Sequence, residues 1–216
     1  MPDATSAPRA PEAHFATMEQ QAHAARLGMW IFLASEMLLF AGLFALLATY
    51  RVQFPDAFAE GVRSGTKVLG SINTGVLLTS SYLVACAVHQ VRGGRLKGAV
   101  GLILATIGLG CVFLVVKFVE YGKHFHEGIY PGGSGHYFLE HPLQGLPVFW
   151  TLYFFMTGLH ALHVTAGMIV LSTTLLGMRS GHITAESPQR MEVAALYWHL
   201  VDIIWIFLWP LFYLAR

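Results

Sequence analysis

From position 27 onward the chain alternates between long apolar blocks and short polar ones. The apolar blocks cover about 27–50, 68–89, 98–121, 147–178 and 193–214. Each meets the ~20 residues that an α-helix needs to cross ~30 Å of hydrocarbon. The fourth exceeds it and is expected to tilt or project. The pattern predicts an all-α protein, a polytopic membrane bundle of five transmembrane helices forming one domain over residues 26–216. Residues 1–25 are polar and rich in Ala and Pro. They lack the basic start and apolar core of a cleavable leader and read as a mobile cytoplasmic tail.

Helices in lipid pack through small residues. Ala34, Ala41, Ala45 and Ala48 share one face of the first block, Gly101, Ala105 and Gly108 one face of the third, and Gly158, Ala161, Thr165 and Ser172 one face of the fourth. These stripes are expected to face neighbouring helices. Basic residues of the tail, the second loop and the fourth loop are Arg9, Arg26, Arg92, Arg95, Lys97, Arg179 and Arg190; the other side carries Arg51, Arg63, Lys67, Lys123 and Arg216. Seven against five places the N-terminus in the cytoplasm and, after five crossings, the C-terminus outside. The loop 122–146 contains Pro131-Gly132-Gly133, His136, His141 and Pro142, which is turn chemistry in an ordered surface excursion.

Composition narrows the class. Hydrophobic residues are 55 % and charged residues 12 %, the mean hydropathy is +0.57 and the net charge is +1. That excludes a disordered chain, a nucleic-acid-binding module and an ordinary soluble enzyme. Cys86 and Cys111 both lie inside apolar blocks and read as small buried apolar residues.

The chemistry resides in polar groups at membrane depth, each costly and therefore a candidate site. They are Glu36, Lys117, Glu120 and Asp202, with His160, His163 and His199. Glu36 lies opposite the alanine stripe and is expected to point toward a cleft or a partner, where a carboxylate must be neutralised or paired. Lys117 and Glu120, three apart, predict an ion pair near the interface, with snorkelling open to the lysine. His160 and His163 share a face and read as structural histidines or, with His199 from the last block, as haem or metal ligands. His199 and Asp202 share a face and predict a carboxylate–imidazole pair, structural or part of a proton relay. No phosphate loop, nucleophile elbow or zinc-protease helix is present.

The motifs resemble subunit III of the haem–copper terminal oxidases through all five blocks. They are Leu27-Gly-Met-Trp-Ile-Phe-Leu-Ala-Ser-Glu36, Asn73-Thr-Gly-Val-Leu-Leu-Thr-Ser-Ser81, Lys117-Phe-Val-Glu-Tyr121, Thr157-Gly-Leu-His-Ala-Leu-His-Val164 and Tyr197-Trp-His-Leu-Val-Asp-Ile-Ile-Trp205. The resemblance implies a cofactor-free subunit beside oxidase subunits I and II, with haem and copper held by the partners and cytochrome c or quinol reached only indirectly. It implies support of oxygen reduction and proton uptake in a bacterial inner membrane. It implies two arms around a lipid cleft, the first two helices forming one arm and the last three the other. Bound phospholipid is expected there, with Arg26, Trp30, Arg63 and Lys67 as its basic and aromatic contacts. Glu36 matches the family's carbodiimide-reactive glutamate; Lys117, Glu120, His160, His163, His199 and Asp202 match recurring motif positions.

The chain lacks the first two helices of the seven-helix mitochondrial form, as short bacterial forms do. Ser35-Glu36 favours the cytochrome c branch over quinol oxidases. A relative accompanying nitric oxide reductases, a haem-binding membrane anchor and a proton-coupled transporter are the alternatives. The visible spectrum of the purified chain separates the accessory subunit from the haem anchor.

Overall fold

The structure, a computed structural model, describes residues 14–214. Seven helices follow in order: α1 Met18–Gln53, α2 Pro55–Ser64, α3 Lys67–Arg92, α4 Leu96–His126, α5 Tyr137–Glu140, α6 Leu146–Arg179 and α7 Gln189–Tyr213. Five of them, α1, α3, α4, α6 and α7, are long and apolar enough to cross a membrane. No strand occurs among the described residues.

The first helix starts at Met18, inside the segment expected to be a mobile tail; residues 1–13 of that segment lie outside the described residues. The cause is local. Thr17 caps the helix by accepting from the Gln20 N–H at 3.1 Å, and the Gln20 side chain reaches back to the Ala16 N–H at 3.1 Å. The first contact is a side-chain N-cap, and the second ties the residue before the cap to the first turn. The apolar pattern could not mark it, because the first turns are polar.

α3, α4, α6 and α7 form a closed four-helix unit in which α3 packs on α4 and α7, and α6 on α4 and α7. α1 lies against α6 and α7. The second span is therefore built into the four-helix unit, and the first arm expected from pairing of the first two spans is not formed. α1 docks through Leu33, Phe40 and Leu47, seven residues apart and almost fully buried. This seam carries Glu36 on the same face.

The small-residue stripes of α1 and α4 face the opposite way from expectation, and that of α6 is divided. Ala34, Ala41, Ala45 and Ala48 of α1 and Gly101, Ala105 and Gly108 of α4 are exposed; on α6 Gly158 and Ala161 are half-buried while Thr165 and Ser172 are exposed. The interior is filled by large rings instead: Trp150, Trp198, Trp205, Tyr213, Phe113 and Phe149 are fully buried. Close approach is conceded at single glycines. A Cβ on Gly167 would stand 2.9 Å from the Trp198 ring, and one on Gly110 2.8 Å from the Met168 sulfur.

The two short helices cap one end. Pro55 opens α2 in its first turn, where a missing N–H is no loss. α2 buries Ala57, Phe58 and Val62, and Phe58 meets Phe149 of α6 edge-on at 5.2 Å. The loop 127–145 folds over this end as an ordered excursion. Ser64 and Tyr137 hydroxyls lie 2.8 Å apart, His141 stacks on Tyr137 at 4.5 Å, and the Gly132 N–H donates to Thr151 at 3.0 Å. Burial pushes the Tyr137 phenol above its ordinary value of 10.0, so this contact is made by the neutral form.

Gly145 precedes α6 with φ +94°, and a Cβ there would run into the Phe54 ring. Gly145→Ala thus combines left-handed strain with overpacking and should lower stability by about 2–4 kcal/mol. Gly132→Ala, at φ +86° with open space around it, bears the strain alone and should cost less. Thermal unfolding of both variants in lipid nanodiscs checks the order.

Candidate functional site

The ionisable groups at membrane depth resolve into three sets on three helix seams. In the first, Lys117 and Glu120 sit one turn apart on α4 and are 3 % and 0 % exposed in their side chains. The lysine donates to Glu120 Oε2 at 2.8 Å, to Tyr153 OH at 3.1 Å and to Tyr213 OH at 3.0 Å. These three acceptors use all three ammonium protons. Thr66 donates to the other glutamate oxygen at 2.6 Å. The ammonium also lies 4.9 Å from the Tyr153 ring centre and 5.4 Å from that of Trp205. The predicted pair forms, but the lysine is enclosed and does not snorkel. Tyr153 of α6 and Tyr213 of α7 complete the cage; their distance in sequence hid them.

In the second set, Glu36 of α1 meets His163 of α6, Oε2 to Nε2, at 2.8 Å. This corrects the expectation that Glu36 points away from its closest helix contact. His163 donates Nδ1–H to the Leu159 carbonyl at 2.7 Å, which settles the tautomer. A 2.8 Å contact between Nε2 and the carboxyl then requires one proton between them. The pair is neutral overall whichever atom holds it. Phe40 packs edge-on against the imidazole at 5.4 Å, and Tyr197 of α7 donates to the His163 carbonyl at 3.2 Å. α1 is thereby tied to α6 and α7 by a polar contact inside an apolar seam.

The third set joins α3 to α7. Trp198 donates to Ser80 and Trp205 to Thr74, each at 3.0 Å, and Ser81 Oγ lies 2.7 Å from His199 Nδ1. The predicted His199–Asp202 pair is absent: His199 turns to α3, and neither Asp202 oxygen has a protein hydrogen-bond partner although the residue is buried. His160 also departs from expectation. It is fully buried, stacked on Trp205 at 5.2 Å and edge-on to Phe113 at 5.5 Å, with neither ring nitrogen hydrogen-bonded to protein. The two α6 histidines share the buried face but serve different seams. Among the described residues no three His, Cys, Asp or Glu side chains converge as a metal-ligand set.

The four expected lipid contacts divide between the two ends of the bundle. Arg26 and Trp30 are exposed near the start of α1, whereas Arg63 and Lys67 flank the α2–α3 turn beyond its far end. Arg63, Lys67 and Lys123 line a depression whose wall includes Thr66, Val68 and Leu69. Arg63 is also 3.4 Å from Glu60. Lys123 was not picked out by sequence, since only folding brings the end of α4 beside the start of α3.

A buried ion pair adds little net stability, because desolvation offsets its attraction, but removing one partner strands the other charge. Lys117→Met should therefore lower stability by about 3–5 kcal/mol. Lys117→Met combined with Glu120→Gln should recover part of that loss. Denaturant unfolding of the two variants in lipid nanodiscs measures the difference.

The family model for cytochrome c oxidase subunit III matches residues 11–215. The chain is 32 % identical to quinol oxidase subunit 3 of Bacillus subtilis (strain 168) over 207 residues, 92 % of either protein. It is 32 % identical to cytochrome c oxidase subunit 3 of Gallus gallus over 194 residues, 87 % of this chain and 68 % of the relative. It is 31 % identical to cytochrome bo(3) ubiquinol oxidase subunit 3 of Pseudomonas putida over 192 residues, 87 % of this chain and 84 % of the relative. All five membrane-length helices lie within the matched region, and the chain belongs to the cytochrome c oxidase subunit III family of the haem–copper oxidases.

Proposed function

We propose that the chain is the non-catalytic, cofactor-free third subunit of a respiratory cytochrome c oxidase, seated beside subunits I and II and supporting their oxygen reduction and proton uptake. The Glu36–His163 pair carries this reading. It holds one transferable proton at membrane depth on the seam of the least buried helix, with the glutamate side chain 17 % exposed. That is equipment for proton handling and for a neighbour's surface. A quinol oxidase complex is the second reading, favoured by the Bacillus subtilis relative, which is matched over 92 % of its length. Asp202 is read as a second proton-related group, and Lys117, Glu120, His160, His163 and His199 as the structural polar network.

Phospholipid headgroups are assigned to both ends, at Arg26 and Trp30 on one face and at Arg63 and Lys67, with Lys123, on the other. Basic and aromatic side chains at helix ends suit the headgroup level. The proposed location is a bacterial inner membrane with the N-terminus cytoplasmic and the C-terminus periplasmic, supported by the asymmetry of basic loop residues.

Glu36→Gln keeps size and hydrogen bonding but removes the shared, titratable proton. The assembled oxidase should still consume oxygen, because the redox centres lie in its partners. Proton release per oxygen, or survival over many turnovers, should fall, and labelling of the subunit by a hydrophobic carbodiimide should drop. Oxygen consumption and proton release measured on one preparation test this. Loss of all oxygen reduction in an intact complex, or no change in either quantity, would contradict it.

A C-terminal alkaline phosphatase fusion should be active and a C-terminal green fluorescent fusion dark. The reverse pair of results would invert the topology.

A further inference from the structure

The seam between α3 and α7 opens at one end into a depression of about 350 Å³ lined by Ala85, Val88, Arg92, Glu192, Ala195, Leu196 and His199. That is room for several waters at ~30 Å³ each. Its mouth is the Arg92–Glu192 ion pair, in which both guanidinium contacts reach Glu192 Oε1, at 2.8 and 3.0 Å. The ionisable groups lining it are Arg92 from α3 and Glu192 and His199 from α7. His199 forms the inner wall, two turns below Glu192.

His199 spends its Nδ1 on Ser81 at 2.7 Å, which leaves Nε2 for the depression. Asp202 lies one turn further along α7, 3 % exposed, with both carboxyl oxygens unpartnered. The Ser81 hydroxyl neighbours this carboxyl but is in hydrogen-bond geometry with His199. From Glu192 to Asp202 is ten residues, about 15 Å along the helix. An unpartnered buried carboxyl is costly as an ion, and this setting favours the neutral acid.

We propose that Asp202 is a proton-exchange site, reached from the Arg92–Glu192 mouth through His199 and Ser81. A proton from water in the depression binds His199 Nε2. The Nδ1 proton moves to the Ser81 oxygen, and the Ser81 hydroxyl proton moves to the Asp202 carboxylate. One proton enters, one O–H bond forms on Asp202, and His199 is left as its other tautomer; release runs the same steps backward. This deepens the proton-related reading of Asp202 and adds its entrance. Its test reads Asp202 directly in this chain, so its failure is distinguishable from failure of the oxidase-subunit reading, which the Glu36→Gln measurement carries.

The full chain in lipid nanodiscs is transferred into D₂O and followed by infrared spectroscopy. A protonated-carboxyl C=O band should be present and absent in Asp202→Asn. Labelling with ¹³C-aspartate should shift the same band, which assigns it even where Asp202→Asn fails to fold. The band should respond to D₂O promptly in the native chain and at least tenfold more slowly in Ser81→Ala. Ser81→Thr, which keeps a hydroxyl, should restore the native rate; a merely structural Ser81 would not link exchange to the hydroxyl. Absence of an aspartate-derived protonated-carboxyl band, or exchange in Ser81→Ala at the native rate, would overturn the proposal.

Discussion

A polar side chain at membrane depth has no water to bond, so it must find its partner inside the protein or stay neutral. That constraint organises this bundle. Lys117 and Glu120 can be fully enclosed because they pair with each other, Tyr153 and Tyr213 take the other two ammonium protons, and Thr66 donates to the second carboxylate oxygen. These partners come from the α2–α3 turn, α6 and α7, so the single pair binds three parts of the chain to α4. Glu36 and His163 do the same for α1, and Ser81 and His199 for the α3–α7 seam.

The same constraint accounts for which faces turn inward. A helix carrying both an apolar small-residue stripe and a polar group buries the polar group. On α1 the stripe of Ala34, Ala41, Ala45 and Ala48 stays outside while Glu36 turns to His163. On α6 the face of His160 and His163 is inside, and Thr165 and Ser172 are outside. The space between helices is then set by aromatic rings. Glycine serves those rings singly, as Gly167 does beneath Trp198, rather than forming a continuous helix–helix groove.

The three polar sets also differ in kind. The Lys117 cage is saturated and closed, which suits a permanent structural joint. The Glu36–His163 pair engages both imidazole nitrogens, lies on a thinly covered seam and shares one proton between two bases. Asp202 is unsaturated beside a depression. Across this series the groups pass from a closed joint to a buried acid with unused hydrogen-bonding capacity, and the proposed proton exchange at Asp202 draws on that last property.

Much was legible in the sequence. The five spans needed only apolar blocks of sufficient length, because backbone hydrogen bonding in lipid leaves helix as the open choice for each. The Lys117–Glu120 pair was legible because three residues is one helical turn. The Thr17–Gln20 cap was also written locally, though the hydropathy pattern passed over it. Tertiary structure alone decided the rest. It set α3 between α4 and α7, brought Tyr213 to Lys117 across 96 positions, and gave Glu36 a partner 127 residues away. It also turned His199 to Ser81 of α3 rather than to Asp202 one turn along its own helix. Helical spacing states which side chains lie on one face. Which helix comes to cover that face depends on the packing of bulky rings and the pairing of buried charges across the whole bundle, and no local pattern contains either.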